Sequence, residues 1–191
     1  ICEGDPLYLT SNPYTAYSSL GANSVVWMGP NAFVSTQNND TIPNVPLAAA
    51  GDYVLTVIDP HGCQRDTTIT VVVNPLPIVY NVTGGGAACV GSAVEIGLDD
   101  SEVGIEYTLM YMGSPYYVTG YGYYTVMGTG SAVTFGPVTL GNQILGSATF
   151  TVHAVNVTTG CDIPMNGDAT VIINATPFQF NVRVVDEGFH V

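Results

Sequence analysis

Apolar and β-branched residues fall along this chain in short alternating or continuous runs, not at helical spacing. The runs cover 53–58, 67–73, 107–112, 148–152 and 169–173, each rich in Val, Ile, Thr, Tyr or Phe, the side chains that fit a pleated, half-buried surface. No stretch sustains the period of about 3.6 residues that marks an amphipathic helix. Turn-forming clusters punctuate the runs, as in Gly29-Pro30-Asn31, Gln37-Asn38-Asn39-Asp40, Asp59-Pro60-His61-Gly62 and Gly84-Gly85-Gly86. Many short strands separated by such signals predict an all-β chain of antiparallel sandwiches.

The pattern also repeats. Cys2-x-Gly4-x-x-Leu7-x-Leu9 is matched by Cys89-x-Gly91-x-x-Val94-x-Ile96, and Tyr53-x-Leu55 followed by Gly62-Cys63 is matched by Phe150-x-Val152 followed by Gly160-Cys161. Each copy closes alike, at Asn74-Pro75-Leu76-Pro77 and at Asn174-Ala175-Thr176-Pro177. Proline lacks a ladder donor and fixes φ, so these closings read as short, stiff linkers. Two domains follow, 1–75 and 76–175, with a C-terminal extension at 176–191.

A third copy begins in that extension. Pro77-Ile78-Val79-Tyr80-Asn81-Val82 is echoed one hundred residues later by Pro177-Phe178-Gln179-Phe180-Asn181-Val182. Phe178, Phe180, Val182 and Val184 alternate as one face of a strand should. The second domain has a strand-like approach of 12 residues from Pro77 to Cys89, whereas a single residue precedes Cys2. The expectation is that the first domain lacks its opening strand and the tail carries a spare one. Two arrangements would reconcile the ends: donation of the tail to another copy, or a longer tandem array in which the next repeat follows. Twelve residues beyond Pro177 stands Phe189, where a continuing repeat would place Cys, and this favours donation. The opening Ile1-Cys2-Glu3-Gly4 has no initiator Met and no basic-then-apolar leader, so the chain reads as a mature product or an excised piece.

Charge narrows the choice of partner. Of 191 residues, 15 are acidic and two basic, Arg65 and Arg183, for a net charge of −13 with no Lys at all. Phosphate backbones and anionic lipid surfaces both need a cationic face, so neither is an expected partner. No apolar run approaches the roughly 18 residues that span a bilayer. The four cysteines, Cys2, Cys63, Cys89 and Cys161, form no C-x-x-C pair and sit near no His cluster. That favours disulfides over zinc, and an extracellular setting.

Taken together, the C-x-G opening, the aromatic strand leading to Gly-Cys, the Asn-Pro-x-Pro closing and Ser101-Glu102-x-Gly104-x-x-Tyr107-x-Leu109 resemble the bacterial immunoglobulin-like repeats of large secreted surface proteins of Bacteroidota. Gliding-motility-associated and adhesin-like proteins are among them. The resemblance implies two tandem immunoglobulin-like antiparallel β-sandwiches plus a C-terminal extension strand, export by the type IX route, and a role as stalk, fibre or adhesin with no enzymatic activity and no cofactor. It also implies pairing within each copy, Cys2 with Cys63 and Cys89 with Cys161, one of the three connectivities that four cysteines allow. Asp40-Thr41-Ile42 and Asp66-Thr67-Thr68 are similar to the short O-glycosylation signal of this bacterial group. Thr41, read as lying in a polar loop, is the better candidate, since Thr67 falls in a strand run.

Other chemistry is sparse. Asp99, Asp100, Ser101, Glu102 and Glu106 offer hard oxygen ligands without calcium-loop spacing, so a solvated turn is the better reading and no metal is expected. His61, His153 and His190 lie far apart, with no motif that would build a catalytic triad. Seven tyrosines fall within 107–124. Of these, Tyr116, Tyr117, Tyr121, Tyr123 and Tyr124 would stack on sugars or line a subunit contact if displayed together, and would be ordinary cross-strand packing if not. The expected function is a structural subunit of an extracellular cell-surface filament, assembled head to tail from copies of itself. The alternative is a repeat segment of a giant surface adhesin that binds glycans or surface ligands.

Overall fold

The computed structural model describes residues 1–11, 24–118, 122–139 and 146–177. Strands in the first half are β1 (Leu7–Thr10), β2 (Ser24–Met28), β3 (Val34–Ser35), β4 (Asn39–Ile42), β5 (Gly51–Ile58) and β6 (Gln64–Val71). They form two antiparallel sheets, β1-β4 and β3-β2-β5-β6. Alternation sets the inward face: Leu7 and Leu9 point to the core while Tyr8 and Thr10 point out. Trp27, Val45, Tyr53, Val71 and Val73 complete that core. The Tyr53 ring is fully buried, its hydroxyl donates to the Ala49 carbonyl at 3.0 Å, and Phe33 meets it edge-on.

The second half contains β7 (Val82–Gly84), β8 (Gly86–Cys89), β9 (Ala93–Leu98), β10 (Ile105–Tyr111), β11 (Ser114–Pro115), β12 (Tyr117–Val118), β13 (Gly122–Tyr123), β14 (Thr125–Met127), β15 (Val133–Thr139), β16 (Gly146–Asn156), β17 (Asp162–Pro164) and β18 (Ala169–Asn174). One sheet runs β15-β9-β7 and the other β11-β10-β16-β18-β8, with β14 on β10 and β17 on β16. Between them lies a core of Ile96, Leu98, Ile105, Tyr107, Leu109, Phe150, Val152 and Val171, all essentially inaccessible.

The repeat read from the sequence is a repeat of registers. Trp27 faces Leu55 as Leu109 faces Val152, and Tyr53 faces Ile69 as Phe150 faces Ala169. At the base of each sandwich a cysteine pairs in parallel with an asparagine: Cys2 with Asn74, Cys89 with Asn174. Besides the extra strands β11–β14 and β17 of the second half, the halves differ at the entry to the sandwich. In the second, the approach to Cys89 lies antiparallel on β9 as β7, crosses between the sheets, and lies parallel on β18 as β8. Gly84 and Gly85 make the crossing at φ of 93° and 90°. A Cβ on Gly84 would run into the Glu95 carbonyl oxygen, and one on Gly85 would sit 2.7 Å from the Thr170 oxygen. No described residue of the first half occupies the corresponding place, so among the described residues β1 and β6 each keep one unpaired edge.

Thr41 proves to be a strand residue, not a loop residue. It lies in β4 opposite Tyr8 with its side chain exposed.

Candidate functional site

Among the described residues, no strand partners the free edges of β1 and β6. In the second sandwich Tyr80, Val82 and Ala88 pack against the core from β7, β8 and their approach. In the first, β6 is exposed over every residue but Val71. Ile69 shows the consequence. It faces the same side as the buried Tyr53 and is 52% exposed, whereas its counterpart Ala169 is 1% exposed. Leu55 and Val57 are only half-buried, while Val152 and Ala154 are inaccessible. Unpaired N–H and C=O groups beside uncovered apolar side chains form a template for an added strand, and no lysine is present to blunt it. The predicted assembly residues Phe178, Phe180, Val182 and Val184 lie outside the described residues.

The cysteines pair across the two halves. Cys2 is bonded to Cys161, with Cα atoms 5.5 Å apart, while Cys63 and Cys89 are free and exposed. This corrects the expected pairing within copies, and strand length explains why. Cys63 immediately precedes β6 and Cys2 sits beside Asn74, past its far end, so the eight residues of β6 hold them apart. At about 3.3 Å per residue that is about 26 Å, far beyond the roughly 7 Å limit for bridged Cα atoms. The β18 strand separates Cys161 from Cys89 in the same way. The sequence held this signal: each copy carries a full strand run between its late cysteine and its closing asparagine.

Both halves present their cysteines through similar hydrogen-bonded turns, the late turn of the second half being one residue longer. In the late turn, the Asp59 N–H donates to the Cys63 carbonyl (3.0 Å) and the Gly62 N–H to the Asp59 carbonyl (3.0 Å). In the second half Asn156 donates to Cys161 (2.8 Å) and Gly160 to Asn156 (2.8 Å). Side-chain oxygens brace each turn, Asp59 Oδ1 accepting from His61 and Cys63, Asn156 Oδ1 from Thr158 and Thr159. The backbone N–H of Cys63 holds the Asp59 carboxyl below its ordinary value. At the other pole, Glu3 donates to Asn74 (2.8 Å) and Asp5 to Cys2 (3.1 Å), as Val90 does to Asn174 (2.9 Å) and Ser92 to Cys89 (2.9 Å).

The acidic stretch anchors the segment that enters the second sandwich. Asp99 accepts from the Asn81 backbone and side chain at 2.8 and 2.7 Å, and the Asn81 side chain holds its carboxyl below the usual value. Glu102 Oε2 accepts from the Ile78 N–H at 3.1 Å, next to the proline linker. The Glu102 N–H donates to the Tyr107 hydroxyl, whose pKa burial pushes up. Ser101 is buried and bonds the Ser131 carbonyl. Among the described residues, no group of three or more His, Cys, Asp or Glu side chains is placed to hold a metal. His153 Nε2 lies 3.2 Å from Asp162, His61 Nδ1 lies 3.9 Å from Asp59, and His190 is outside the described residues.

The tyrosines divide between core and surface. Tyr116 is 8% exposed, wedged against Phe150, Tyr111 and Tyr124, so it is packing and not display, and the half-buried Tyr124 stacks on it. Tyr117 and Tyr123 are 55% and 62% exposed and meet edge-to-face across the β12–β13 hairpin. Beside them Glu106, Thr108, Pro115, Tyr123 and Thr125 line an open depression of about 200 Å³. Tyr121 is outside the described residues. Thr67 is exposed on β6 opposite Leu55.

No protein-family model matches the chain, and no curated protein does. Solved structures do. Murine CEACAM1b matches over 92% of this chain and 95% of its own, at 10% identity and a TM-score of 0.46. A chain from the complex of the mouse coronavirus receptor-binding domain with its murine receptor matches over the same shares, at 10% identity and a TM-score of 0.47. The three N-terminal domains of the bacteriophage RB49 outer capsid protein Hoc match over 91% of this chain and 55% of theirs, at 12% identity and a TM-score of 0.40. The fold is all-β, with two sandwiches built mainly of antiparallel strands. At these identities and TM-scores the likeness carries no argument about what this chain does. The Cys2–Cys161 bridge is consistent with an oxidising, extracellular setting, and among the described residues no helix is long and apolar enough to cross a membrane.

Proposed function

We propose that the chain is a structural subunit of an extracellular filament, in which residues 178–191 of one copy complete the first sandwich of the next. The observation that carries this reading is that, among the described residues, β1 and β6 have open edges at the place that β7 and β8 fill in the second sandwich. The donor is named by sequence. Phe180 and Val182 stand one hundred residues after Tyr80 and Val82, which pack on the second core from the filled position. Strand addition of this kind gains main-chain hydrogen bonds along the edge and specificity from alternate side chains. The contact is heterologous, so copies joined this way form an open filament unless the rotation closes.

The tail carries Val184 and Val185 where the second sandwich has Gly84 and Gly85. A Cβ at either glycine of the second sandwich collides with backbone, which favours pairing of the donated strand with the β1 edge without that crossing. The resemblance to Bacteroidota surface repeats fits a protein exported by the type IX route.

The test is the 191-residue chain against the same chain without 178–191. Filaments from the first and monomers from the second are expected, with both sandwiches folded in each. Filaments from the shortened chain would overturn donation. A reducing, denaturing gel of native material separates the alternatives, since a filament of copies gives a band at 20.0 kDa and a tandem array a giant one.

A second reading has its own observation. The exposed Tyr117–Tyr123 pair beside the open depression offers aromatic faces and the polar groups of Glu106 and Thr108 to a sugar. Glycan binding by the monomer, lost in Tyr117→Ala and Tyr123→Ala, is the outcome that would support an adhesive role.

A further inference from the structure

We infer that Cys89 of one copy and Cys63 of the next form a disulfide, so that the filament is covalently cross-linked at every junction. This rests on the head-to-tail reading above and goes beyond it. Within the chain, the junction between sandwiches is locked by Cys2, beside the closing asparagine of the sandwich before it, and Cys161, in the late turn of the sandwich after it. At the junction between copies the closing asparagine is Asn174, and the cysteine beside it is Cys89. The sandwich that follows is the next copy's first, and the cysteine in its late turn is Cys63. These are the two free, exposed cysteines. Each is held in the backbone hydrogen-bond pattern of its bonded counterpart, and the lengths of β6 and β18 put Cys63 and Cys89 at opposite ends of the chain's two sandwiches, each away from the Cys2–Cys161 bridge.

The chemistry is thiol–disulfide exchange with a disulfide oxidant, either a small-molecule disulfide or a disulfide-exchange catalyst. The Cys63 thiolate attacks a sulfur of the oxidant, forming a mixed disulfide and releasing one thiolate. The Cys89 thiolate then attacks the Cys63 sulfur and releases the second. Two protein thiols lose two protons and two electrons, and the oxidant's disulfide becomes two thiols.

The experiment uses assembled full-length chain oxidised with a glutathione redox couple, its remaining thiols alkylated before dissolution in detergent. Without reductant a ladder in steps of one chain mass is expected, collapsing with reductant to the 20.0 kDa monomer. A peptic digest should contain a Cys63–Cys89 cross-linked peptide; pepsin is chosen because the chain offers trypsin only Arg65 and Arg183. Cys63→Ser and Cys89→Ser should each abolish the ladder while filaments persist in micrographs. Mixing the two variants should restore covalent dimers and nothing larger. Filaments that yield only monomers without reductant, or a Cys63–Cys63 or Cys89–Cys89 peptide, would overturn the bridge and leave strand donation standing. Chains that neither assemble nor cross-link would overturn both.

Discussion

The two sandwiches share strand order, registers and cysteine placement, yet one buries its core and the other leaves its core open at the edge. Eighteen buried residues form the second core and eight the first, among the described residues. The side chains are of similar kinds at equivalent positions, Leu55 for Val152 and Tyr53 for Phe150, so composition does not explain the contrast. Coverage does. Where β7 and β8 bind both sheets together, matched apolar residues are inaccessible; where no described residue does, Ile69 and Leu55 meet solvent. Equivalent sequence therefore gives unequal burial, because the area removed from water depends on the neighbour that covers it.

The largest effect that would break this comparison comes from the tail. Residues 178–191 supplied as a peptide to the chain lacking them should raise the melting temperature of the first sandwich and leave the second unchanged, as scanning calorimetry would show. Equal shifts in both would mean the first sandwich has no special vacancy.

Core truncation should divide the halves next. Phe150→Ala is expected to destabilise the second sandwich by about 3–5 kcal/mol in urea unfolding, its ring being inaccessible. Ile69→Ala should cost under about 1 kcal/mol in the unassembled chain, since half its surface is already exposed. The Ile69 penalty should grow once the edge is covered, and an unchanged penalty in filaments would place the added strand elsewhere. Gly85→Ala should cost about 1–3 kcal/mol in the second sandwich alone, through its positive φ and the approach to Thr170.

The smallest expected effect is that of pH on the entry to the second sandwich. The Asp99 carboxyl is held below its ordinary value of 3.8 by Asn81. Its contribution is therefore present above that value and lost as pH falls through the lowered one. Asn81→Ala should weaken the acid dependence of the second sandwich's unfolding below about pH 4, leaving the first unaffected. An identical acid profile in the variant would detach Asp99 from the stability of the second sandwich.

Much of this was legible in the chain. Alternation at 53–58 and 169–173 marked strands because a half-buried sheet face requires period two. Spaced Cys, Gly and Asn residues marked the repeat because the same turns recur in space. Thr41 was misread since Asn39 and Asp40 are turn formers, yet the pairing of β4 with β1 overrides local propensity. Tyr116 and Tyr117 are adjacent and chemically identical; alternation alone says they face opposite ways, and only the packing of Phe150 says which one is inside.

The sequence by itself determined the strand periodicity, the twofold repeat and the echo of Tyr80 and Val82 in Phe180 and Val182, since these depend on residue type and spacing. Tertiary structure alone decided which cysteines meet and which edges stay open. Bridging needs two Cα atoms within a few ångströms, and burial needs a neighbour. Both are distances between segments far apart in the chain, which local pattern does not encode.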